Sequence, residues 1–156
     1  MENKYKLTEE TLETDGHVLN RIIALRDFGE VKKGDLGGFI EKESNLAHDY
    51  NCWIYNDAVV YGNADVCGDA KVCGNAEVYG NAEVCGNAEV EKKSDYIVFK
   101  NWWSSGRYFT WTRSNDMWYV GCFYGTGEEL IKKAYKEGED KGREYARIVK
   151  YVKSIK

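Results

Sequence analysis

The chain has 156 residues, is 43% hydrophobic and 31% charged, and carries a formal net charge of −4. That composition suits a globular fold. No apolar run approaches the ~20 residues that span a bilayer, and the start, MENKYKLTEE, is charged where a signal peptide would be apolar; a cytoplasmic protein is expected rather than a membrane or exported one.

The five cysteines (Cys52, Cys67, Cys73, Cys85 and Cys122) include no CxxC pair. They do not have the spacing of a thiol-rich zinc site, and an odd count without a secretion signal fits free thiols. Charge is unevenly divided. Residues 1–91 hold 8 basic and 18 acidic side chains, a net of −10; residues 92–156 hold 14 and 8, a net of +6, and the two sum to −4.

Residues 1–37 read as a β-hairpin and cap. KYKLTEETLET and HVLNRIIALRDF flank Asp15-Gly16, a dipeptide suited to a tight turn with two positive φ angles. KKGDLGGF follows, and its Gly34, Gly37 and Gly38 read as turn glycines.

Residues 38–91 repeat every six. From Tyr50 the chain gives YNCWIY, NDAVVY, GNADVC, GDAKVC, GNAEVY, GNAEVC and GNAEVE. The fifth place is always Ile or Val, and the third is Ala after an initial Cys52. A branched residue and a small one two positions apart make a period-2 inward face; a helix would need a 3.6 period. SNLAHD, just before, puts His48 at the inward valine place. A triangular coil, one hexad per side and three per rung, satisfies the pattern. Residues three hexads apart then stack, placing Tyr61 over Tyr79 and Cys67 over Cys85 as ladders for oligomer contact or packing. From the third hexad on, the fourth places hold Asp65, Lys71, Glu77, Glu83 and Glu89, and the acidic four, Asp65, Glu77, Glu83 and Glu89, are a candidate mimic of a phosphate backbone.

Residues 92–156 change composition. YIVFKNW, RYFTWTR and MWYVGCFY read as a three-stranded antiparallel meander. Thr126-Gly127-Glu128-Glu129 is a capping box. One or two helices follow, with Ala134, Gly138, Gly142 and Ala146 at close-packing spacing. Trp102, Trp103, Arg107, Trp111, Arg113 and Trp118 combine aromatic planes with cations, the chemistry of a protein-contact surface or of a nucleotide or nucleic-acid site.

The hexads resemble those of the hexapeptide-repeat, left-handed β-helix proteins, in which an aliphatic residue is followed four places later by a small one, as in Val66 to Ala70 or Val78 to Ala82. The resemblance covers residues 38–91 and implies about three rungs. The expected fold is mainly β with C-terminal α: hairpin, short left-handed parallel β-helix, then meander and helical segment. Many such proteins are acyl-CoA-dependent acyltransferases with a histidine general base, often as trimers. Here the histidines are only His17, beside a hairpin turn and expected to be exposed, and His48, expected to be buried or capping. Carbonic anhydrases of this fold need three histidine ligands, so no metal is expected. Glycines matching GxGxxG or a P-loop are absent.

The layout of KKGDLGGFIEKESNL, NCWIYNDAVVYGNA and the coil also resembles small accessory proteins of bacteriophages. That resemblance implies a non-enzymatic binding protein in the bacterial host cell, an anti-CRISPR-like inhibitor of a host defence complex, with no catalytic residues and no cofactor. A nucleic-acid or signalling-nucleotide binder and a hexapeptide-repeat acyltransferase are the alternatives. A dimer or trimer is expected in each case, and no membrane partner.

Overall fold

The structure, a computed structural model, describes residues 2–101 and 105–156. It is mainly β, with two C-terminal helices and several sheets, some of them parallel. Strands β1 (Tyr5–Thr14) and β2 (His17–Ala24) pair as a hairpin across Asp15-Gly16, whose φ angles of 48° and 80° give the doubly positive turn. Strand β3 (Leu36–Ile40) pairs antiparallel with β2 and brings the chain into the repeat. Gly37 and Gly38 are not turn residues. They lie in β3 because nothing larger fits: a Cβ on Gly38 would stand 2.3 Å from the Ala58 carbonyl oxygen and 2.5 Å from Ile54 Cγ2. Gly34, at φ 93°, is the one of the three that turns the chain.

Seven two-residue strands follow: β4 (Trp53–Ile54), β5 (Val59–Val60), β6 (Asp65–Val66), β7 (Lys71–Val72), β8 (Glu77–Val78), β9 (Glu83–Val84) and β10 (Glu89–Val90). Consecutive strands fall into three sheets in rotation. β5 pairs β8, β6 pairs β9, and β7 pairs both β4 and β10, all parallel. Ile54 is opposite Val72, and Val66 opposite Val84, so one circuit takes three hexads. The chain therefore coils around three sides. Every inward Ile or Val from Ile54 to Val90 is at 0% exposure, and the alanines at 0–1%. Small inward residues leave the coil narrow enough to fill itself.

The first circuit differs. Ile40 is opposite Val60, and Leu46 opposite Val66, a circuit longer than three hexads. Later inward residues follow one another at one hexad, but Leu46 and Ile54 are further apart, and the corner at 47–53 takes up the surplus. Leu46, at 1% exposure, takes the inward place expected of His48.

The coil is flanked at both ends by one device. Glu41-Lys42-Glu43-Ser44-Asn45 and Glu91-Lys92-Lys93-Ser94-Asp95 each close in a 3-10 turn. Buried Asn45 accepts from the Glu41 and Lys42 amides and donates to the Gly62 and Ala64 carbonyls. Asp95 accepts from the Glu91 and Lys92 amides in the same way.

The C-terminal sheet has four strands, β11 (Tyr96–Lys100), β12 (Tyr108–Thr112), β13 (Met117–Val120) and β14 (Phe123–Gly125), in sequential antiparallel order. The expected third strand is split by Gly121, at φ 58°. Helices α1 (Gly127–Glu137) and α2 (Glu139–Ile155) follow. Thr126 caps α1: its hydroxyl accepts from the Glu129 amide, and the Glu129 carboxylate accepts from the Thr126 amide. The two helices pack so closely that a Cβ on Gly142 would meet the Tyr135 ring at 2.3 Å.

This sheet closes the coil. The last circuit has no following rung to accept its amides, and an open edge invites further pairing. Thr110 Oγ1 accepts from the Glu83 amide at 2.9 Å, and Ser114 Oγ from the Glu89 amide at 2.8 Å. Tyr96 donates to the Glu77 carbonyl at 2.9 Å, while its ring and Val98 pack against the coil core.

Candidate functional site

A histidine–carboxylate pair lies where the hairpin overhangs the coil. His17 opens β2, directly after the turn, and Glu41 follows β3. His17 Nδ1 and Glu41 Oε2 are 2.7 Å apart. The other carboxylate oxygen, Oε1, accepts from the Gly62 amide at 2.9 Å. Those two contacts, the His17 hydrogen bond first, hold the Glu41 carboxyl below its ordinary value. An ionised carboxylate only accepts, so the imidazole proton sits on Nδ1 and the Nε2 lone pair is left for other work. Among the described residues Nε2 has no hydrogen-bond partner. The His17 side chain is 39% exposed.

The surroundings are aromatic. The Tyr61 ring lies 4.9 Å from the imidazole and donates its hydroxyl to Asp15 at 2.8 Å. Burial, then that hydrogen bond, push the Tyr61 phenol up, so it stays a neutral donor. Tyr61 stacks on Tyr79 at 5.3 Å with 10° between the planes. Tyr79, 42% exposed, begins an open groove of 390 Å³ lined also by Asn81, Lys93, Tyr96 and Tyr108. Lys93 pairs with Glu77 at 2.5 Å beside it. A larger cavity of 630 Å³ lies between Phe99–Asn101 and α2. It contains no histidine.

His48 is not such a group. Its Nδ1 accepts from the Lys4 amide at 3.0 Å, its Nε2 faces Glu43 at 3.7 Å, and its ring stacks on Tyr5 at 4.2 Å. The Nδ1 hydrogen bond and the ring stack hold the long corner in place.

The residues singled out by sequence are scattered. Trp111 and Trp118 are 1% and 2% exposed and belong to the core under α1 and α2, a correction to their reading as a partner surface. Trp111 Nε1 donates to Asp116 at 2.7 Å. Arg107 and Arg113 are exposed; Arg113 lies over Trp111 at 5.7 Å and donates to the Ser94 carbonyl. Trp102 and Trp103 lie outside the described residues.

The acidic row is not a free face either. Asp65 and Glu83 are half-buried under Tyr119 and Thr110, Glu77 is paired with Lys93, and Glu89 alone is exposed. Burial raises the Asp65 carboxyl, and burial followed by the Asp65 charge raises that of Glu83. Of the ladders, Tyr61 is covered by the hairpin turn. Cys67 and Cys85, Cα atoms 4.6 Å apart, are joined in a disulfide where thiols were expected.

The His17–Glu41 pair escaped the sequence reading because its members are far apart along the chain and only the hairpin brings them together. The available signal was Glu41-Lys42 recurring as Glu91-Lys92 at the coil's other end, which marks both as closing turns.

No protein-family model matches the chain. It is similar to a protein of Escherichia coli (strain K12) named "Uncharacterized acetyltransferase YdcK", 40% identical over 65 residues, covering 36% of this chain and 20% of the relative. The chain thus spans about a fifth of the length of the curated relative it matches. The match corrects the expectation of a non-enzymatic protein, since the relative is named as an enzyme, and it lends nothing to the phage resemblance. No helix among the described residues is long and apolar enough to cross a membrane.

Proposed function

We propose that this protein is an acyltransferase of the hexapeptide-repeat kind, its coil a left-handed β-helix and His17 its general base. The observation that carries the reading is the 2.7 Å contact between His17 Nδ1 and Glu41, with Glu41 itself fixed by the Gly62 amide. The similarity to a protein named an acetyltransferase supports it.

The acyl donor is a thioester substrate such as acetyl-CoA. The His17 Nε2 lone pair takes the proton from an acceptor hydroxyl or amine as that group attacks the thioester carbonyl. Glu41 stabilises the imidazolium that forms and keeps the ring in one orientation. The tetrahedral intermediate then collapses: the carbon–sulfur bond breaks, the thiolate leaves, and His17 returns the proton to the sulfur. The groove from Tyr79 to Tyr108, reached from His17 through the Tyr61–Tyr79 stack, would take the rest of a substrate. This reading brings with it an oligomer in which a second copy walls the groove.

The test is release of free thiol from acetyl-CoA against a panel of small amines and sugars. Turnover that falls ~10²-fold or more in His17→Ala supports the reading; turnover equal to wild type in that variant removes it.

A further inference from the structure

We infer that Lys4 and Cys52 form a site of covalent modification, in which one oxygen atom bridges the lysine nitrogen and the cysteine sulfur. Peroxide makes the bridge and thiol reductants undo it. Both residues are at 0% exposure. Lys4 Nζ stands 3.3 Å from Cys52 Sγ and 2.7 Å from the Cys52 carbonyl, with the Tyr50 and Asp49 carbonyls at 3.4 and 3.5 Å. Phe28 closes the cage, its ring centre 4.8 Å from the nitrogen. Capping the carbonyls of the long corner would explain the amine. It does not explain the sulfur, which belongs to the single inward third place of the seven hexads that is not alanine.

The sulfur's other neighbours within hydrogen-bonding range, among the described residues, are the carbonyl oxygens of Ala47, Asp49 and Val66. None of them can be joined to an oxidised sulfur, so the Lys4 nitrogen is the available partner for the bridge. Burial lowers the Lys4 ammonium, which favours the neutral amine; it also raises the Cys52 thiol, so the first oxidation draws on a small thiolate fraction.

The chemistry balances with two molecules of hydrogen peroxide. The thiol gives two electrons to the first, forming a sulfenic acid and one water. The amine gives two electrons to the second, forming an N–O bond and another water. Condensation of the S–OH with the N–OH loses a third water and leaves S–O–N. Four electrons from two dithiols return the thiol, the amine and one water. The bridge would join the base of the hairpin that carries His17 to the coil's long corner, so it would fix the hairpin that the proposed site depends on.

The experiment uses the full chain, treated with hydrogen peroxide in native buffer or in urea, then digested with trypsin and read by mass spectrometry. The expected product, from native buffer alone, joins the Lys4 and Cys52 peptides with one oxygen gained and two hydrogens lost. Cleavage after Lys4 is lost with it, dithiothreitol restores both peptides, and Cys52→Ser gives no joined peptide. Unmodified Cys52, sulfinic or sulfonic acid at Cys52 with normal cleavage after Lys4, or equal bridging in urea would overturn the inference. The Cys67–Cys85 disulfide adds no oxygen and cannot be mistaken for it.

Discussion

His17 Nδ1 and Glu41 Oε2 meet at 2.7 Å across the hairpin, and the Gly62 amide holds the far side of the carboxylate. An ionised Glu41 is therefore built into the fold, with its carboxyl below the ordinary 4.5. A depressed carboxyl contributes stability that is present above the unfolded value and lost as pH falls through the folded one. Wild-type stability should drop with acid below about pH 4.5. Glu41→Gln should make that drop shallower in urea titrations at several pH values, and lower any transferase turnover by at least ~10-fold by weakening the hold on the imidazole. An unchanged acid limb would show that the pair does not persist in solution.

Asp65 and Glu83 pose the opposite case. They stand opposite each other on neighbouring rungs, half-buried beneath the C-terminal sheet, and both carboxyls are raised. A raised carboxyl contributes stability that is full below its unfolded value and lost as pH rises through the folded one. The ionised pair thus weakens the docking of that sheet at neutral pH. Glu83→Gln keeps an oxygen for Tyr119 and removes the charge. It should unfold at higher temperature than wild type at pH 7, the gap closing below about pH 4. A variant less stable than wild type at neutral pH would contradict this.

The Cys67–Cys85 disulfide ties two neighbouring rungs, at a sequence separation of 18. Closing a loop of that size is worth about 3 kcal/mol through the unfolded chain. Cys67→Ser/Cys85→Ser, or wild type in dithiothreitol, should lose about 2–4 kcal/mol in denaturant unfolding. Equal midpoints with and without reductant would mean that the thiols are free.

Gly38→Ala should be severe. Its new methyl would meet the Ala58 carbonyl oxygen at 2.3 Å, and neither backbone can retreat without breaking the first rung. The expected loss is about 1–3 kcal/mol or more. Gly80→Ala meets nothing within 4 Å, and its cost comes from φ 69° alone. A milder loss at position 38 than at position 80 would refute the steric reason for glycine in β3.

The repeat was legible because one hexad is one side of the coil: its valine and alanine face in, and stacking at every third hexad follows from counting. The long corner was not, because the surplus between Leu46 and Ile54 leaves no compositional mark, and the inward place assigned to His48 belongs to Leu46. The coil's covering was hidden for a different reason. Glu83 reads as a surface charge from its hexad, and only the fold brings Thr110 and Tyr119 over it. Trp111 and Trp118 were misread because an aromatic face looks the same whether helices or solvent will lie against it.

Whether His17 is a base is decided by comparing wild type, His17→Ala and His48→Ala in thiol release from acetyl-CoA with the acceptor panel. His17→Ala should lose turnover by ~10²-fold or more while keeping the wild-type circular dichroism spectrum. His48→Ala should keep turnover at temperatures where it remains folded. Full activity in His17→Ala, or thiol release by wild type no faster than the uncatalysed hydrolysis with every acceptor, would contradict the assignment.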